Sequence, residues 1–534
     1  MSLPMSTNYL FVKESIWTIW KSHRHNGFSK TQNRKYLIGT AIALIFAYLV
    51  QDRFLKPPRK LRHIPYVGWI PVLLSSIRRE SAYVYGQKNI HPKLKSKEIK
   101  DIYARSSDLG WIVYLLNPKD IKQVLLKPDL FPKINLSEGY ENTLTNRFND
   151  GHSLFFSNGP EWKGMKSVIS PVFSRSLPVE MFGERASRLF ERMESIGNVI
   201  EVSNLMRRYT LDVIGRAAFG IDFEAIADPN CEWIALYDII NQGIQDPFFF
   251  TFPDLEQNHL WMFGDRIALH HRLDKLMEKI DKVIEQRKEE LRNGNIESSA
   301  KNDMLTTMIK ELEKKNGIIR EEQIKSNFCF FFLAGHDSTT NAICFALYYF
   351  AVYPEIQQRA REEVNRVLGT EPKDVLPDMN QIKQMEYIYM VIKEVLRIHP
   401  PAPRSGPRRA KEDTVISGKF IPKNSIVAID IYNAHHHQDV WENENVFDPE
   451  RFRTTNYDGR HAGKGISWLP FGSGPRQCVG MNFSLTEQRV VLCMMLRKFN
   501  WSLPENSPHN HGVLTSGSFL AGPKNMEIKF ESRY

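Results

Sequence analysis

Hydrophobic and polar positions follow two periods along the chain, and the helical period dominates. Short alternating stretches with helical breaks over residues 95–126 predict strands joined by small helices. From residue 162 to about residue 292 the apolar positions recur with a helical period, which is interrupted at residues 246–253. Residues 321–353 carry an unbroken apolar-rich pattern, which predicts one long buried helix.

The pattern changes character in the last third of the chain. Residues 354–368 and 379–399 predict two amphipathic helices, whereas short alternating runs within residues 403–432 predict strands. A glycine- and proline-rich loop is predicted at residues 470–480, and a helix follows it. We therefore predict one body that is mainly α with a minor β portion.

The N-terminal segment has its own pattern. Residues 36–50 contain no charged side chain, and extension to residue 55 gives twenty residues, enough to cross a bilayer core of about 30 Å. Four prolines follow and predict a stiff tether: Pro57, Pro58, Pro65 and Pro71. Two alternatives remain open, a buried helix of the body and a mitochondrial transit peptide. The predicted organisation is an extension at 1–35, a membrane anchor at 36–55, a basic tether at 56–71 and the body at 72–534.

The charge distribution argues against a nucleic-acid-binding protein. The formal net charge is +10, but residues 1–62 hold eleven Lys and Arg against two acids. The rest of the chain carries 60 basic and 59 acidic side chains. Because the body is nearly neutral, it lacks the electrostatic footprint that phosphate backbones require.

The cysteines exclude a disulfide framework and a zinc finger. There are five of them, an odd number, and none forms a C-x-x-C pair. A reducing compartment is therefore expected, and a single cysteine remains available as a ligand or a nucleophile.

The sharpest local motif surrounds one cysteine, in the sequence FGSGPRQCVG that runs from Phe471 to Gly480. The following helix places Cys478 near a helix N-terminus, which favours a thiolate. Gly474 and Gly480 allow a flat partner to approach the backbone, and Arg476 offers a cation to a carboxylate. The set suits an axial thiolate under a haem. The alternative is a buried apolar cysteine, as expected for Cys329, Cys344 and Cys493.

The spacing F-x-x-G-x-R-x-C-x-G resembles the haem-binding loop of the cytochrome P-450 monooxygenases. A chance match in a chain of this length has a probability of about 1 in 10⁴. The family also carries E-x-x-R on an upstream helix and a P-E-R-F element. Glu394 and Arg397 match the first, and Arg451 lies within the second. The resemblance implies that these three side chains form a network that holds the cysteine loop.

The long predicted helix contains the sequence AGHDST over residues 334–339. It resembles the family pattern in which Ala334 and Gly335 leave room above the haem. Asp337 matches the acid that relays protons to dioxygen, and Ser338 replaces the usual threonine, with Thr339 as a second hydroxyl. Read without the resemblance, these polar residues would be an interruption that bends a core helix.

The resemblance also implies residues that bind the haem propionates and the substrate. Trp162 and Lys166 match the family motif W-x-x-x-R, with lysine in place of arginine, and Arg408 is expected on a propionate, with Arg409 as its rival. Apolar positions are expected to line the substrate pocket: Phe155, Phe331, Ala402, Pro403 and Phe519. The consecutive His435, His436 and His437 are interpreted as surface or structural residues.

The fold implied by the resemblance has two lobes around a buried haem b. The activity would be hydroxylation of a small lipophilic substrate with O₂ and NADPH. No flavin or dinucleotide domain is evident, so NADPH–cytochrome P-450 reductase is the expected electron donor, with cytochrome b5 as a second candidate partner. The anchor implies the endoplasmic reticulum membrane with a cytosolic catalytic domain, in preference to mitochondria. The alternatives are a haem-thiolate isomerase or dehydratase that acts on a peroxide without a reductase, and a haem sensor.

Overall fold

The computed structural model describes residues 56–107, 109–135, 139–174, 177–297, 300–453 and 466–534. The predicted extension and anchor, residues 1–55, lie outside the described residues. Within the described residues, no helix combines the length and the apolar character that crossing a membrane requires. The main compact unit runs from Arg59 to Tyr534.

Helices form most of this unit. In chain order they are α1 (Trp69–Ile77), α2 (Ala82–Asn89), α3 (His91–Lys95), α4 (Pro118–Leu125), α5 (Leu144–Phe148), α6 (Gly159–Ser174), α7 (Val179–Ile196), α8 (Val202–Ile214), α9 (Glu232–Ile244), α10 (Pro247–Thr251), α11 (Pro253–His259), α12 (Gly264–Arg292), α13 (Met304–Leu312), α14 (Glu321–Val352), α15 (Pro354–Leu368), α16 (Met379–Gln384), α17 (Glu386–Ile398), α18 (Ile431–His435) and α19 (Met481–Lys498). The predicted helix-rich body is therefore confirmed.

The strands form one larger sheet and three small ones. They are β1 (Tyr66–Val67), β2 (Ile102–Ser107), β3 (Gly110–Leu115), β4 (Val199–Glu201), β5 (Arg408–Arg409), β6 (Thr414–Ile416), β7 (Lys419–Ile421), β8 (Ile426–Ile429), β9 (Phe499–Ser502), β10 (Thr515–Ser516), β11 (Gly522–Pro523) and β12 (Glu527–Ser532). The larger sheet has the order β1-β2-β3-β8-β5, in which β2–β3 is antiparallel and β3–β8 is parallel. Strands β4, β12 and β9 form an antiparallel sheet.

The long helix α14 is buried along most of its length. An amphipathic surface helix would expose one polar face, but buried side chains occur all round α14, so it lies within the main hydrophobic core. It ends before Pro354, which occupies the first turn of α15, where a missing backbone N–H costs little. This boundary agrees with the sequence prediction.

The single helix predicted at 379–399 is wrong, because the structure has two helices, α16 and α17. The buried carboxylate of Glu363 accepts the backbone N–H groups of Tyr387 and Ile388 at 2.8 and 3.0 Å. These amides belong to the first turn of α17 and have no partner within their own helix. A side chain from α15 therefore determines where α17 begins, and no local sequence pattern predicts this boundary.

Two other predicted segments are more ordered than their composition suggested. The interruption at 246–253 contains α10, which begins where the Asp246 side chain accepts the Phe248 N–H at 2.8 Å. From Arg59 onward the predicted tether belongs to the compact unit. Leu61 and Ile64 are buried there, and β1 pairs with β2.

The crossing of α8 and α14 brings two helices into close contact beside the AGHDST sequence. The Thr210 hydroxyl of α8 lies 2.7 Å from that of Thr340. A Cβ added to Gly335 would lie 2.5 Å from Cγ1 of Ile214. The glycine therefore gives α8 the space to pack against α14.

Candidate active site at the cysteine loop

The cysteine loop, residues 470–480, ends at the first turn of α19. The Cys478 N–H donates to the Phe471 carbonyl at 2.9 Å and closes the loop. Gly472 and Gly474 have φ values of 65° and 72°, in the left-handed region that favours glycine. A side chain at Gly474 would also meet Leu126, whose Cδ2 lies 3.0 Å from the added Cβ position. The turn before the cysteine therefore requires glycine at these positions.

The Cys478 side chain is exposed, yet the protein around it is dense enough to desolvate the thiol. Burial raises the pKa of Cys478, and the Gly480 N–H opposes this effect. Desolvation outweighs the backbone amide at this sulfur, and the expectation that the helix N-terminus favours a thiolate stays a prediction. A metal cation at the sulfur would reverse the balance, since a coordinating thiol is deprotonated.

Arg476 lies across the face of Trp162 on α6. Its guanidinium carbon is 3.9 Å from the indole ring centroid, and Nη2 donates to the Ser157 carbonyl at 2.6 Å and to Asn158 Oδ1 at 3.0 Å. The buried Nε has no hydrogen-bond partner. Burial, together with the neighbouring Arg408, lowers the pKa of Arg476 to about 10.

Two more cations face Arg476 from the sheet side. Arg408 is buried, its Nη1 donates to the Phe131 carbonyl at 2.9 Å, and burial lowers its pKa to about 10. Its rival Arg409 is exposed. The backbones of Lys133 and Arg408 form an isolated antiparallel β-bridge. The pKa of Lys133 is held well below its ordinary value, mainly by burial and also by the positive charges of Arg408 and Arg476. The sequence analysis missed Lys133, and no local motif surrounds it.

Lys166 completes the group from α6. Its Nζ donates to the Pro475 carbonyl at 2.5 Å and lies 5.3 Å from the Trp162 ring centroid. Within the described residues, none of the four cations forms an ion pair with an acid. Arg408 is buried and the other three cations are partly buried, and leaving such charges without an ion-pair partner is costly, so this arrangement suits a ligand that carries carboxylates.

The residues at this site fit a haem. Its two propionates match the group of four cations, and the unpartnered Arg476 Nε is a donor for one of them. Cys478 offers a sulfur ligand for iron, and the half-buried Gly474 and Gly480 leave the loop backbone accessible to a flat ring.

A buried ionic network lies behind the loop. Glu394 binds Arg397 through two hydrogen bonds, of 2.7 and 2.8 Å, and lies 3.2 Å from Arg451. All three side chains are at most 4% exposed. Both arginines also donate to backbone carbonyls of residues 442–446. Burial raises the pKa of Glu394, although the arginines oppose the shift.

His435 connects this network to the cysteine loop. Its Nε2 accepts the Leu469 N–H at 2.9 Å, so Nδ1 carries the proton and donates to the Arg397 carbonyl at 2.9 Å. The Trp468 indole donates to the Lys393 carbonyl at 3.0 Å. All three consecutive histidines are buried, so they are structural and not surface residues.

The Asp337 carboxylate contacts side chains of α8 and α9. Its Oδ2 accepts hydrogen bonds from the Tyr237 hydroxyl at 2.6 Å and from the Asn241 amide at 3.2 Å. Oδ1 lies 3.4 Å from Arg207 Nε and 3.4 Å from His336 Nε2. The sequence did not identify Tyr237, Asn241 and Arg207, which lie between 96 and 130 positions earlier in the chain.

The two hydroxyls of the motif have different partners. The half-buried Ser338 donates from Oγ to the Ala334 carbonyl at 2.7 Å. Thr339 is buried, and its hydroxyl lies 2.9 Å from Ser484 Oγ on α19. Gly335 faces Ile214 of α8, so its small size serves helix packing in this structure.

The predicted pocket residues are in different surroundings. Phe155 is half-buried, and its ring stacks on Phe330 at 5.1 Å. Phe331 lies in the core instead, stacked on Phe173 at 5.3 Å. Ala402 is half-buried, Pro403 is buried and Phe519 is 59% exposed. One helix position, a rotation of about 100°, separates the two faces on which Phe330 and Phe331 lie.

Comparisons with known proteins agree with this geometry. A sequence model of the family described as Cytochrome P450 matches residues 93–530. Cytochrome P450 3A12 of Canis lupus familiaris is 28% identical over 399 residues, which cover 70% of this chain and 75% of the dog protein. Cytochrome P450 3A7 of Homo sapiens is 28% identical over 450 residues, which cover 79% of this chain and 84% of the human protein.

Solved structures of another cytochrome P450 have a similar fold. The crystal structure of the cytochrome P450DA heme domain aligns with a TM-score of 0.71 at 23% identity, covering 90% of this chain and 98% of that chain. A mutant of the same domain aligns with a TM-score of 0.73 at 22% identity, covering 88% and 98%. The chain belongs to the cytochrome P450 family, and it is a cytochrome P450 monooxygenase, an oxidoreductase that uses haem iron.

Proposed function

We propose that Cys478 would supply the sulfur ligand of the haem iron and that the enzyme hydroxylates a lipophilic substrate with electrons supplied by a separate reductase. The overall reaction is R–H + O₂ + NADPH + H⁺ giving R–OH + H₂O + NADP⁺. The observation that carries the proposal is the group of four cations around the cysteine loop, none of which forms an ion pair with an acid within the described residues. These cations can bind the two propionate carboxylates of a haem, and Cys478 can supply the single sulfur ligand of its iron.

Different residues of this chain would bind the haem and hold the proton. The propionates would be bound by four cations: Lys133, Lys166, Arg408 and Arg476. When bound, haem supplies the iron at which dioxygen is reduced. Ser338 holds a hydroxyl proton beside the accessible face of α14, while Asp337 is the nearest buried carboxyl on the same helix turn. Because Tyr237, Asn241 and Arg207 hold Asp337, proton transfer to the Ser338 hydroxyl requires release of at least one of these partners.

The substrate is proposed to be lipophilic because the accessible side chains near the cation group are aromatic. Phe155 and Phe330 form a stacked pair there, and Lys133 lies 3.8 Å from the Phe155 ring centroid. Binding of such a substrate should change the Soret absorption of the haem-loaded enzyme. A panel containing a fatty acid, a steroid and a foreign aromatic compound would test this in difference spectra, and a lack of response to all three would contradict it.

The proposed location is the endoplasmic reticulum membrane, with the catalytic unit in the cytosol. Exposed apolar side chains cluster on α1, on α10 and just before α12: Ile70, Leu74, Ile77, Phe248, Phe252, Trp261 and Met262. Helices α1 and α10 contact each other, so these side chains form a broad apolar surface. Such a surface is typical of membrane or protein contact. Flotation of the purified chain with phosphatidylcholine vesicles would test it, against a variant with Ile77, Phe248 and Trp261 changed to serine.

The first experiment is a reduced, carbon-monoxide difference spectrum of the purified protein. We expect a strongly red-shifted Soret band in the wild type, its loss in Cys478→Ala and its retention in Cys493→Ala. Cys493 is the matched control because it is a buried cysteine on α19, the helix that follows Cys478, and its thiol donates to the Val490 carbonyl. A band that persists in Cys478→Ala would refute the ligand assignment.

A second measurement tests the electron source. NADPH consumption should require added NADPH–cytochrome P-450 reductase and should rise with substrate, and cytochrome b5 should change the rate only in the presence of the reductase. Turnover of a lipid hydroperoxide without NADPH would instead favour an isomerase or dehydratase.

A further inference from the structure

A side-chain hydrogen bond joins the two helices on which the proposed function depends. Thr339 Oγ1 of α14 and Ser484 Oγ of α19 lie 2.9 Å apart. In the part of the chain that the structure describes, this is the only side-chain hydrogen bond between α14 and α19. Helix α19 follows the cysteine ligand directly, and α14 carries the Ser338 hydroxyl.

Each end of this bond lies close to a functional atom. On the α19 side, the Ser484 N–H donates to the Gly480 carbonyl at 2.9 Å, and the Gly480 N–H points to the Cys478 sulfur. On the α14 side, Thr339 immediately follows Ser338. A continuous path of hydrogen bonds and covalent backbone therefore runs from the sulfur to the Ser338 turn without crossing the haem site.

The geometry of Thr339 departs from what a helical threonine usually does. Serine and threonine in a helix commonly bond back to the carbonyl four residues earlier, and Ser338 does so with Ala334. Thr339 bonds across to Ser484 instead. Gln488 Nε2 also donates to Ser484 Oγ, at 3.0 Å, which holds that hydroxyl in place and leaves its proton free for Thr339.

We infer that Ser484 is a positioning residue for oxygen activation. Its hydroxyl keeps Thr339 from bonding back to the Gly335 carbonyl, and so maintains the shape of the helix turn that presents Ser338. The inference rests on the proposed function, because it assigns Ser338 to proton delivery at the haem. Ser484 itself moves no proton and contacts no reacting atom.

The test compares Ser484→Ala, Ser484→Thr and, as a control, Ser195→Ala. Ser195 is an exposed serine near the end of α7, and its hydroxyl donates to the Arg192 carbonyl of the same helix. In Ser484→Ala we expect more hydrogen peroxide released per NADPH, by about five-fold, the factor that one ordinary hydrogen bond corresponds to. Ser484→Thr should restore the wild-type ratio, and Ser195→Ala should not change it.

A spectroscopic readout separates positioning from a merely structural role. The infrared C–O stretch of the reduced carbon-monoxide complex should shift or split in Ser484→Ala, because the polar groups of the Ser338 turn move relative to the bound gas. The Soret band should stay at the thiolate position. If Ser484→Ala lowers the melting temperature but leaves the C–O stretch and the peroxide ratio unchanged, the inference is wrong.

A double variant tests whether Ser484 acts through Thr339. In a Thr339→Val background, Ser484→Ala should have no further effect on the peroxide ratio, and an additive effect would overturn the inference. Hydrogen exchange of the backbone amides of residues 334–340 should be faster in Ser484→Ala than in the wild type. We expect this increase both with and without bound haem. If the wild type lacked the thiolate band, the proposed function would fail. If hydrogen exchange at amides 334–340 were the same in Ser484→Ala and the wild type, the inferred role of the Thr339–Ser484 hydrogen bond would be wrong.

Discussion

His435 should make the enzyme sensitive to acid, because its ring must stay neutral to hold the cysteine loop. His435 Nε2 accepts a hydrogen bond from the Leu469 N–H. A second proton on the ring would sit on Nε2 and point at this N–H, which would break the hydrogen bond. Burial and the nearby Arg397 lower the pKa of His435 from an ordinary value of 6.5 to about 3. The variant to test is His435→Gln, whose amide can donate and accept but does not titrate.

The direction and size of the effect follow from proton linkage. Above pH 6.5 the ring is neutral in both the folded and the unfolded chain, and its contribution is constant. As the pH falls from 6.5 toward 3, only the unfolded chain gains the proton, so folding loses stability. Between pH 7 and pH 5 this single group should remove about 2 kcal/mol from the free energy of unfolding.

The assay is urea unfolding of the haem-bound enzyme at pH 7 and pH 5, with protein and haem concentrations held constant. We expect His435→Gln to be less stable than the wild type at pH 7 but to lose about 2 kcal/mol less on going to pH 5. His511→Gln is the control, because His511 is exposed. Equal pH dependence in the wild type and His435→Gln would refute the neutral, Nδ1-protonated ring.

Three further predictions concern the network, the cations and the helix crossing. Glu394→Gln keeps the side-chain shape but leaves two buried arginines without a carboxylate, so denaturation should show a loss of about 3–5 kcal/mol; a loss below about 1 kcal/mol would contradict this. Lys133→Met should speed haem transfer to an excess of a haem-acceptor protein by about ten-fold, while Arg409→Met on the neighbouring exposed position should not. Gly335→Ala should cost about 1–3 kcal/mol in thermal unfolding, and Ile214→Ala in the same chain should recover part of it; full additivity would argue against the contact.

The cysteine loop and the Glu394–Arg397 pair could be predicted because their chemistry depends on short sequence spacing. A turn rich in glycine and proline needs only a few consecutive residues, and partners three positions apart share a helix face by geometry. The long helix α14 and the start of α15 at a proline could also be predicted from neighbouring residues alone. These predictions need no knowledge of distant contacts.

Other features depend on residues that are far apart in the chain, and only the tertiary structure reveals them. Lys133 joins the cation group because a backbone bridge pairs it with Arg408, 275 positions later. Helix α17 begins where Glu363 caps it from α15. Such contacts carry no periodic pattern, so reading the sequence alone gave one helix there and no role for the lysine.

By itself the sequence determined the candidate groups, namely a thiol in a glycine-rich loop, an acid and hydroxyls in one helix, and three of the four cations. The tertiary structure decided the state and direction of each group. Desolvation raises the pKa of Cys478 although it precedes a helix N-terminus. Asp337 turns to Tyr237 and Arg207, and Thr339 turns to Ser484. Residue identity and spacing are properties of the chain, whereas dielectric surroundings and hydrogen-bond partners exist only once distant segments have packed together.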